Sequence, residues 1–352
     1  MKEIFKNLKV LELASVLAGP RAGTFFSELG AEVIKIENKK TQGDVTRGWK
    51  LPSENVDEIS AYYSSVNFGK KVLFLDLTNE ADFEIFLQEV INCDVLISNF
   101  KKDSAIKLGV DFESLKKINP TIIYAQITGF ESNDKRVAYD AVLQAEAGFM
   151  SMTGEKDGAP VKFPVAIIDV LAAHQLKEGI LLALWQSKSD ARAYYVECSL
   201  EKTALASLVN QSSNYLMANH IPGRMGSKHP NIAPYGEIFT SIDTKSYILA
   251  IGSDKQFQLL CTFLNLSLEE RFKKNKYRVE NREALYNILL KTLKELKYLE
   301  VFQFCENNFI PIGEIKTLDK VLNSELAKSM ILEEEIDGVN TKRLSSVAFK
   351  LK

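Results

Sequence analysis

The sequence predicts an α/β protein: an open parallel sheet covered by helices on both faces, followed by a smaller α/β segment. Two observations carry this. Short β-branched runs alternate with helical patterns through the first two hundred residues. Alternation of strand and helix in this way argues for a parallel sheet covered on both faces. After Gly223 the texture changes to a turn-rich connection and then to lysine-rich helices.

The elements follow in order. "KVLEL" (Lys9–Leu13), "EVIKIE" (Glu32–Glu37), "KVLFLDL" (Lys71–Leu77), "DVLIS" (Asp94–Ser98) and "TIIYAQI" (Thr121–Ile127) read as strands, and "YYVECSL" (Tyr194–Leu200) adds another. "RAGTFFSELG" and "EADFEIFLQEVIN" lie between them with helical periodicity. "GRMGSKHPNIAPYG" is rich in turn formers and marks a domain connection. Beyond it, "YILAIG" predicts a strand and "SDKQFQLLCTFL" a helix opened by a serine cap. "NFIPIGEI" reads as a last strand, and charge runs such as "RFKKNKYR" and "LEEEID" as solvated faces.

Bulk properties narrow the function. The chain has 352 residues, enough for two domains, with 46% hydrophobic and 26% charged content, as in a globular protein with a real core. Its 44 basic and 46 acidic residues leave a formal charge of −2, which gives no support for a nucleic-acid or membrane-surface role. Cys93, Cys198, Cys261 and Cys305 are far apart, and three histidines cannot complete a zinc set with them. Neither a signal peptide nor a run of 18 apolar residues is visible, so a cytoplasmic location is expected.

Generic phosphate and nucleophile motifs fail. GxxxxGK[ST], HExxH and GxSxG are absent, and "LAGPRAG" after the first strand has the wrong glycine spacing for a dinucleotide fingerprint. The sharpest oddity is "PVAIIDVLAAHQLKEGILLALW", where a single acidic residue, Asp169, stands between two apolar segments. Two readings fit. Asp169 caps a helix, stabilised by free N–H groups and the helix dipole. Alternatively, a carboxylate kept ionised there serves as a nucleophile, with neighbouring N–H groups ready for an oxyanion.

Several blocks occur together in a fixed order: "LKVLELASVLAGPRAGTFFSELGAEVIKIE", "QGDVTRGW", "NFGKKVLFLDL", "CDVLISNF", "LGVDFESLKKINPTIIYAQITGF", "YDAVLQAEAGFMSMTG" and "FPVAIIDVLAAHQLKEGILLAL". In this the chain resembles the class III CoA-transferase (CaiB/BaiF) family, closely from Leu8 to about Leu200 and more loosely beyond. The resemblance implies an open Rossmann-like large domain over residues 1–222, a small α/β domain over 223–315, and a segment 316–352 that returns to the large domain. It also implies an interlocked, ring-like homodimer, with CoA between the large domain of one subunit and the small domain of the other. No permanently bound cofactor is expected; coenzyme A and acyl-CoA are substrates, and a small carboxylic acid is the acceptor.

By the same resemblance, Asp169 attacks the acyl-CoA thioester. The Val16–Leu17–Ala18 backbone lines the thioester, Asn99–Phe100 and Leu75 form walls of the CoA site, and Lys107 stands where the family often has an arginine on CoA. Two departures stand out: Lys101–Lys102–Asp103 replaces a Pro-Gly turn, and Asn38 occupies a position where some members have arginine, with Lys35, Lys101 and Lys102 as candidate substitutes. The pair Tyr139–Asp140 completes the candidate site. Racemase members of the fold carry a His-Asp pair there for two-base proton transfer; a phenol, with an ordinary pKa of about 10, is a poor base at neutral pH. The pair therefore favours the transferase over a racemase or a non-catalytic CoA-binding homologue. Leu17 and the lack of a glycine run in "GRMGSKHPNIAPYG" argue against oxalate and for a less polar acyl group. Met150 and Met152 are candidates for lining it, though core packing explains them equally.

Overall fold

In a computed structural model, which describes residues 3–131 and 136–351, the chain divides into two compact units. The first holds residues 1–150, 162–222 and 325–352, the second 151–161 and 223–324. Residues 151–161 thus cluster with the second unit and not with the large one, and the second unit runs on to residue 324, beyond 315.

The first unit is built on six strands: β1 (Lys9–Glu12), β2 (Glu32–Asn38), β3 (Lys70–Leu75), β4 (Val95–Ser98), β5 (Ile123–Thr128) and β6 (Tyr194–Ser199). They pair in parallel in the order β3-β2-β1-β4-β5-β6. Consecutive side chains face opposite ways, as the strand pleat requires. Val10, Val95 and Ile123 therefore join one core, while Leu11, Leu96 and Tyr124 join the other. Helices Ala18–Glu28 and Ile167–Gln186 cover the first face through Phe25, Phe26, Ala172 and Leu176. Helices Glu80–Asn92 and Lys102–Leu108 cover the second through Phe86, Val90 and Ala105.

The direction of the sheet's outward connections changes between β1 and β4. Ligands of open α/β sheets bind beyond the carboxyl ends of strands at such a switch point. Ser15–Ala18 leaves β1 there, and Asn99–Phe100 leaves β4.

In the second unit, β7 (Tyr235–Thr240), β8 (Ser246–Ala250) and β9 (Ile312–Glu314) form an antiparallel sheet. Helices Asp254–Phe263, Arg282–Leu293 and Tyr298–Asn307 pack on it around Tyr247, Phe257 and Leu289. The turn-rich stretch before β7 is pinned by two buried arginines. Arg278 donates to the Ala233 carbonyl at 2.7 Å, and Arg282 bridges the Ile232 carbonyl (2.9 Å) and the Glu237 carboxylate (2.6 Å). His229 belongs to this turn: its Nδ1 accepts from the Asn231 N–H at 3.1 Å.

The "LEEEID" run lies in a strand, with Glu333 and Glu335 on its exposed face. Residues Ile331–Ile336 form β10, paired antiparallel with β11 (Val339–Leu344) through an Asp337–Gly338 turn in which both residues have positive φ. Such a two-residue Asp-Gly turn suits the twist of a hairpin. Acidic side chains on alternate positions then find separate partners: Glu334 accepts from the Gly69 N–H, while Asp337 pairs with Arg47. The hairpin is held to the rest of its unit by Glu28, which accepts from Arg343, Ser345 and Ser346.

Candidate active site

Asp169 is not a helix cap. The helix Ile167–Gln186 is preceded by Ala166, which offers no side-chain cap, so Asp169 lies within the first turn. It shares a stripe with Ala172, Ala173, Leu176, Ile180 and Ala183, the residues this helix turns toward the core, and is only 7% exposed. The periodicity that buries the aliphatic residues therefore buries the carboxylate too.

The capping is done by Asp140. Its Oδ1 accepts the Ile168 N–H at 2.7 Å, and its Oδ2 accepts from Gln144 Nε2 at 2.6 Å. Gln144 Oε1 in turn accepts the Phe163 N–H at 2.7 Å, tying down the chain that enters the helix. Asp140 thus positions the helix start, with both its oxygens engaged, and is not free to act as a second base. Of the histidines, His174 is exposed beside Lys177 and His229 is used in its turn. Among the described residues, no histidine acts on the Asp169 carboxylate as the two-base pair of a racemase would.

No hydrogen bond reaches the Asp169 carboxylate from the described residues. Burial, and then the negative charge of Asp140, push its pKa up to about 7. Tyr62 shares the same field: burial first, then Asp169, Asp140 and Asp44, together raise its hydroxyl to about 12. Tyr62 packs edge-on against Trp49 with ring centroids 5.1 Å apart, and Trp49 lies 6.4 Å from Tyr139. These three rings make an aromatic wall whose Trp49 and Tyr62 the sequence reading did not select. The quoted "QGDVTRGW" block contains Trp49, and "AYYSS" contains Tyr62; no spacing rule separates them from core aromatics.

The other candidates gather at the carboxyl ends of the strands. Val16 has φ +73°, a left-handed conformation that a β-branched residue adopts only at a cost. Its N–H donates to the Asp44 carboxylate at 3.2 Å. Asn99 clamps the preceding residue from both sides, accepting the Ser15 N–H at 3.2 Å and donating to the Ser15 carbonyl at 3.0 Å. Leu17 then ends the loop and Ala18 opens its helix, whose first N–H groups have no intrahelical partner. Gly19 and Gly23 serve close packing here and not phosphate binding: a side chain at Gly19 would meet Ala14, and one at Gly23 would meet the Glu12 carboxylate.

Asn38 and Leu75 are register partners at the ends of β2 and β3. Asn38 caps the short turn that follows, and Leu75 buries its side chain among the core residues. Phe100 follows Asn99, its carbonyl held by Gln126 at 3.0 Å. Lys107 sits exposed in the last turn of helix Lys102–Leu108, apart from the Asp169 group, and no contact joins the two among the described residues. Lys101, Lys102 and Asp103 begin that same helix, which accounts for the missing Pro-Gly turn.

Lys35 is not available to a ligand. It is 1% exposed, within 3.0 Å of Glu12 and 3.2 Å of Asp44, and donates to the Ala14 carbonyl. Burial alone would lower its pKa, but Glu12, Asp44 and Glu37 outweigh it and hold the ammonium charged. Lys70 completes the set with its own pair to Glu12 at 2.9 Å. Alongside, Glu37 accepts from Arg47, Tyr63 and the Asp44 N–H.

The sequence and the fold both have counterparts among known proteins. The family model for CoA-transferase family III matches residues 5–352. A succinate–glutarate CoA-transferase from Agrobacterium fabrum is 36% identical over 347 residues, 96% of this chain and 86% of that protein. The human succinyl-CoA:glutarate CoA-transferase is 32% identical, covering 94% and 76%. A crystal structure of a CAIB/BAIF family protein from Brucella suis superimposes with a TM-score of 0.85 at 35% identity, covering 99% of this chain and 93% of that one. No helix among the described residues is long and apolar enough to cross a membrane. The chain belongs to CoA-transferase family III, a family of enzymes that act on CoA thioesters.

Proposed function

We propose that the protein moves CoA from an acyl-CoA to a carboxylic acid by covalent catalysis on Asp169. The observation that carries this is a buried carboxylate, made basic by its surroundings and hydrogen-bonded by no donor among the described residues. Such a group is a stronger nucleophile than a solvated aspartate and has no hydrogen bond to break before attack.

The steps balance as follows. The Asp169 carboxylate attacks the thioester carbonyl and expels CoA thiolate, leaving a mixed anhydride. The thiolate attacks the aspartyl carbonyl, releasing the donor acid and forming an aspartyl-CoA thioester. The acceptor carboxylate attacks that thioester, expelling the thiolate again and making a second mixed anhydride. The thiolate takes the acyl group, and Asp169 is freed as carboxylate. Every intermediate stays activated, so the thioester energy is conserved.

In this reading the Val16–Ala18 backbone faces the thioester and Asn38, Leu75, Asn99, Phe100 and Lys107 flank CoA, while Tyr139 joins Trp49 and Tyr62 around the acyl group. The exchanged acids are short dicarboxylates. The relatives named for succinate, glutarate and, in an Acetobacter aceti protein 31% identical to this chain, oxalate weigh more than the apolar Leu17 side chain, which favours a less polar acyl group. The working form is an interlocked homodimer in the cytoplasm. Apolar side chains left open on one subunit support the dimer: Leu182, Trp185, Leu216, Met217 and Ile221 are all at least 69% exposed. Light scattering after gel filtration should return twice the chain mass.

The deciding experiment is intact-protein mass spectrometry after incubation with succinyl-CoA, followed by borohydride trapping. A CoA-sized adduct on the intact protein before reduction, and after it the loss of CoA with reduction of the Asp169 side chain to an alcohol, both absent from Asp169→Ala, are the expected result. Turnover by Asp169→Ala at the wild-type rate would remove Asp169 from the mechanism.

A further inference from the structure

The ionic group beneath the β1–β3 strand ends has a part in the reaction. We infer that Asp44 is a positioning residue, which holds Val16 in its left-handed conformation and thereby sets the backbone that faces the thioester. This rests on the reading of Val16–Ala18 as the thioester-facing segment.

The geometry is specific. The turn from β1 into helix Ala18–Glu28 passes through Val16 at φ +73°, where a β-branched residue is not at rest. A strained residue persists only where its surroundings over-determine it. Two contacts do so here. Asn99 fixes Ser15 by a two-way clamp, and Asp44 receives the Val16 N–H. Asp44 is itself locked. Its Oδ1 accepts from the Thr46 N–H at 3.0 Å and the Thr46 hydroxyl at 2.8 Å, its Oδ2 lies 3.2 Å from the Lys35 ammonium, and its own N–H is held by Glu37 at 3.1 Å.

That lock extends outward. Lys35 and Lys70 share Glu12, and Glu37 binds Arg47, which reaches Asp337 at the tip of the β10–β11 hairpin at 2.6 Å. Asp44 is therefore the one carboxylate of this group that touches the thioester-facing loop, and the remaining charges keep it in place. Because the Val16 N–H is spent on Asp44, the donors left for a developing oxyanion are those of Leu17 and the open start of the helix; moving Val16 would move them together.

The test compares kcat for transfer from succinyl-CoA with the Kd of CoA alone, measured by calorimetry. Asn at position 44 keeps the shape but offers one acceptor oxygen where Val16 and Thr46 together need two. Asp44→Asn should lower kcat about 10- to 100-fold, the penalty of a small misplacement, with Kd changed less than threefold. Asp44→Asn with Val16→Gly should recover a large part of that loss, because glycine adopts positive φ without help. Glu28→Gln, which loosens the terminal hairpin at the far end of the same helix, should lower the melting temperature with kcat retained. If Asp44→Asn melts lower but turns over at the wild-type rate, or the glycine rescues nothing, Asp44 is structural only. Should Asp44→Asn fail to fold, its combination with Val16→Gly decides: a recovered melting transition together with measurable transfer supports the positioning role, and no recovery sinks it. Asp169→Ala is assayed in parallel; its activity reports on the nucleophile and leaves the Asp44 result separate.

Discussion

Two groups of buried carboxylates lie within the same unit and are treated in opposite ways. Glu12, Glu37 and Asp44 are each at most 6% exposed, and every one is met by a lysine, an arginine or a backbone N–H. Asp169, 7% exposed, is met by none among the described residues and faces the like charge of Asp140. Burying a charge is costly unless it is paired. The first group meets that cost with partners and so fixes the loops at the strand ends. The second leaves it unmet, as the proposed nucleophile requires.

The largest effect should come from erasing the unpaired member. Asp169→Ala should lower transfer by about 10³-fold or more, equivalent to about 4 kcal/mol in the barrier, while CoA still raises the melting temperature. A loss of both would mean that the substitution had damaged the CoA site as a whole.

Breaking the paired group should act on stability instead. Lys70 contacts both oxygens of Glu12 as well as the Pro20 and Val66 carbonyls. Lys70→Met leaves that buried carboxylate with Lys35 alone and should cost about 3–5 kcal/mol, read as a fall in melting temperature. If Lys70→Met melts like the wild type, the network is not what holds the strand ends.

The contrast also explains which parts of the molecule were readable in advance. The six parallel strands followed from short β-branched runs such as "DVLIS" and "TIIYAQI" alternating with helical patterns, a mark that each run carries locally. The β10–β11 hairpin did not: "ILEEEI" has acidic residues at consecutive positions, and its pairing with β11 and the Gly69 N–H that Glu334 accepts belong to the folded chain. Asp169 stood out as an acid in an apolar stretch, yet its place within the first turn was hidden, because its cap comes from Asp140, twenty-eight residues earlier. Lys35 showed the reverse error. A lysine in a strand reads as a solvated candidate ligand, and nothing local reveals that Glu12 and Asp44 enclose it. Periodicity reports burial; the pairing of charges is a property of the folded chain.

A smaller effect separates the two groups by pH. The Asp169 carboxyl is raised from about 3.8 to about 7 on folding. The folded protein therefore keeps this proton over a range in which the unfolded chain has lost it. The associated stability is fully present below the unfolded pKa and is lost as pH rises through about 7. Asp169→Asn has no such loss. It should melt close to the wild type at pH 4 and above it at pH 8, by about 2–4 kcal/mol at the upper bound set by a shift of this size. A constant gap across pH would assign the difference to packing and not to ionisation.

The smallest and most selective change is Asp140→Asn. An asparagine oxygen can still accept the Ile168 N–H, so the helix keeps its start at a cost of about 1 kcal/mol or less. What disappears is the negative charge, the second cause of the raised carboxyl at Asp169 after burial. The acidic limb of kcat/KM, which reports the free enzyme, should move to lower pH, and the rate at high pH should fall as the nucleophile becomes less basic. Both changes have one origin and should appear together. A limb that stays in place would mean that burial alone makes Asp169 basic, and that Asp140 is a cap with no electrostatic part in the site.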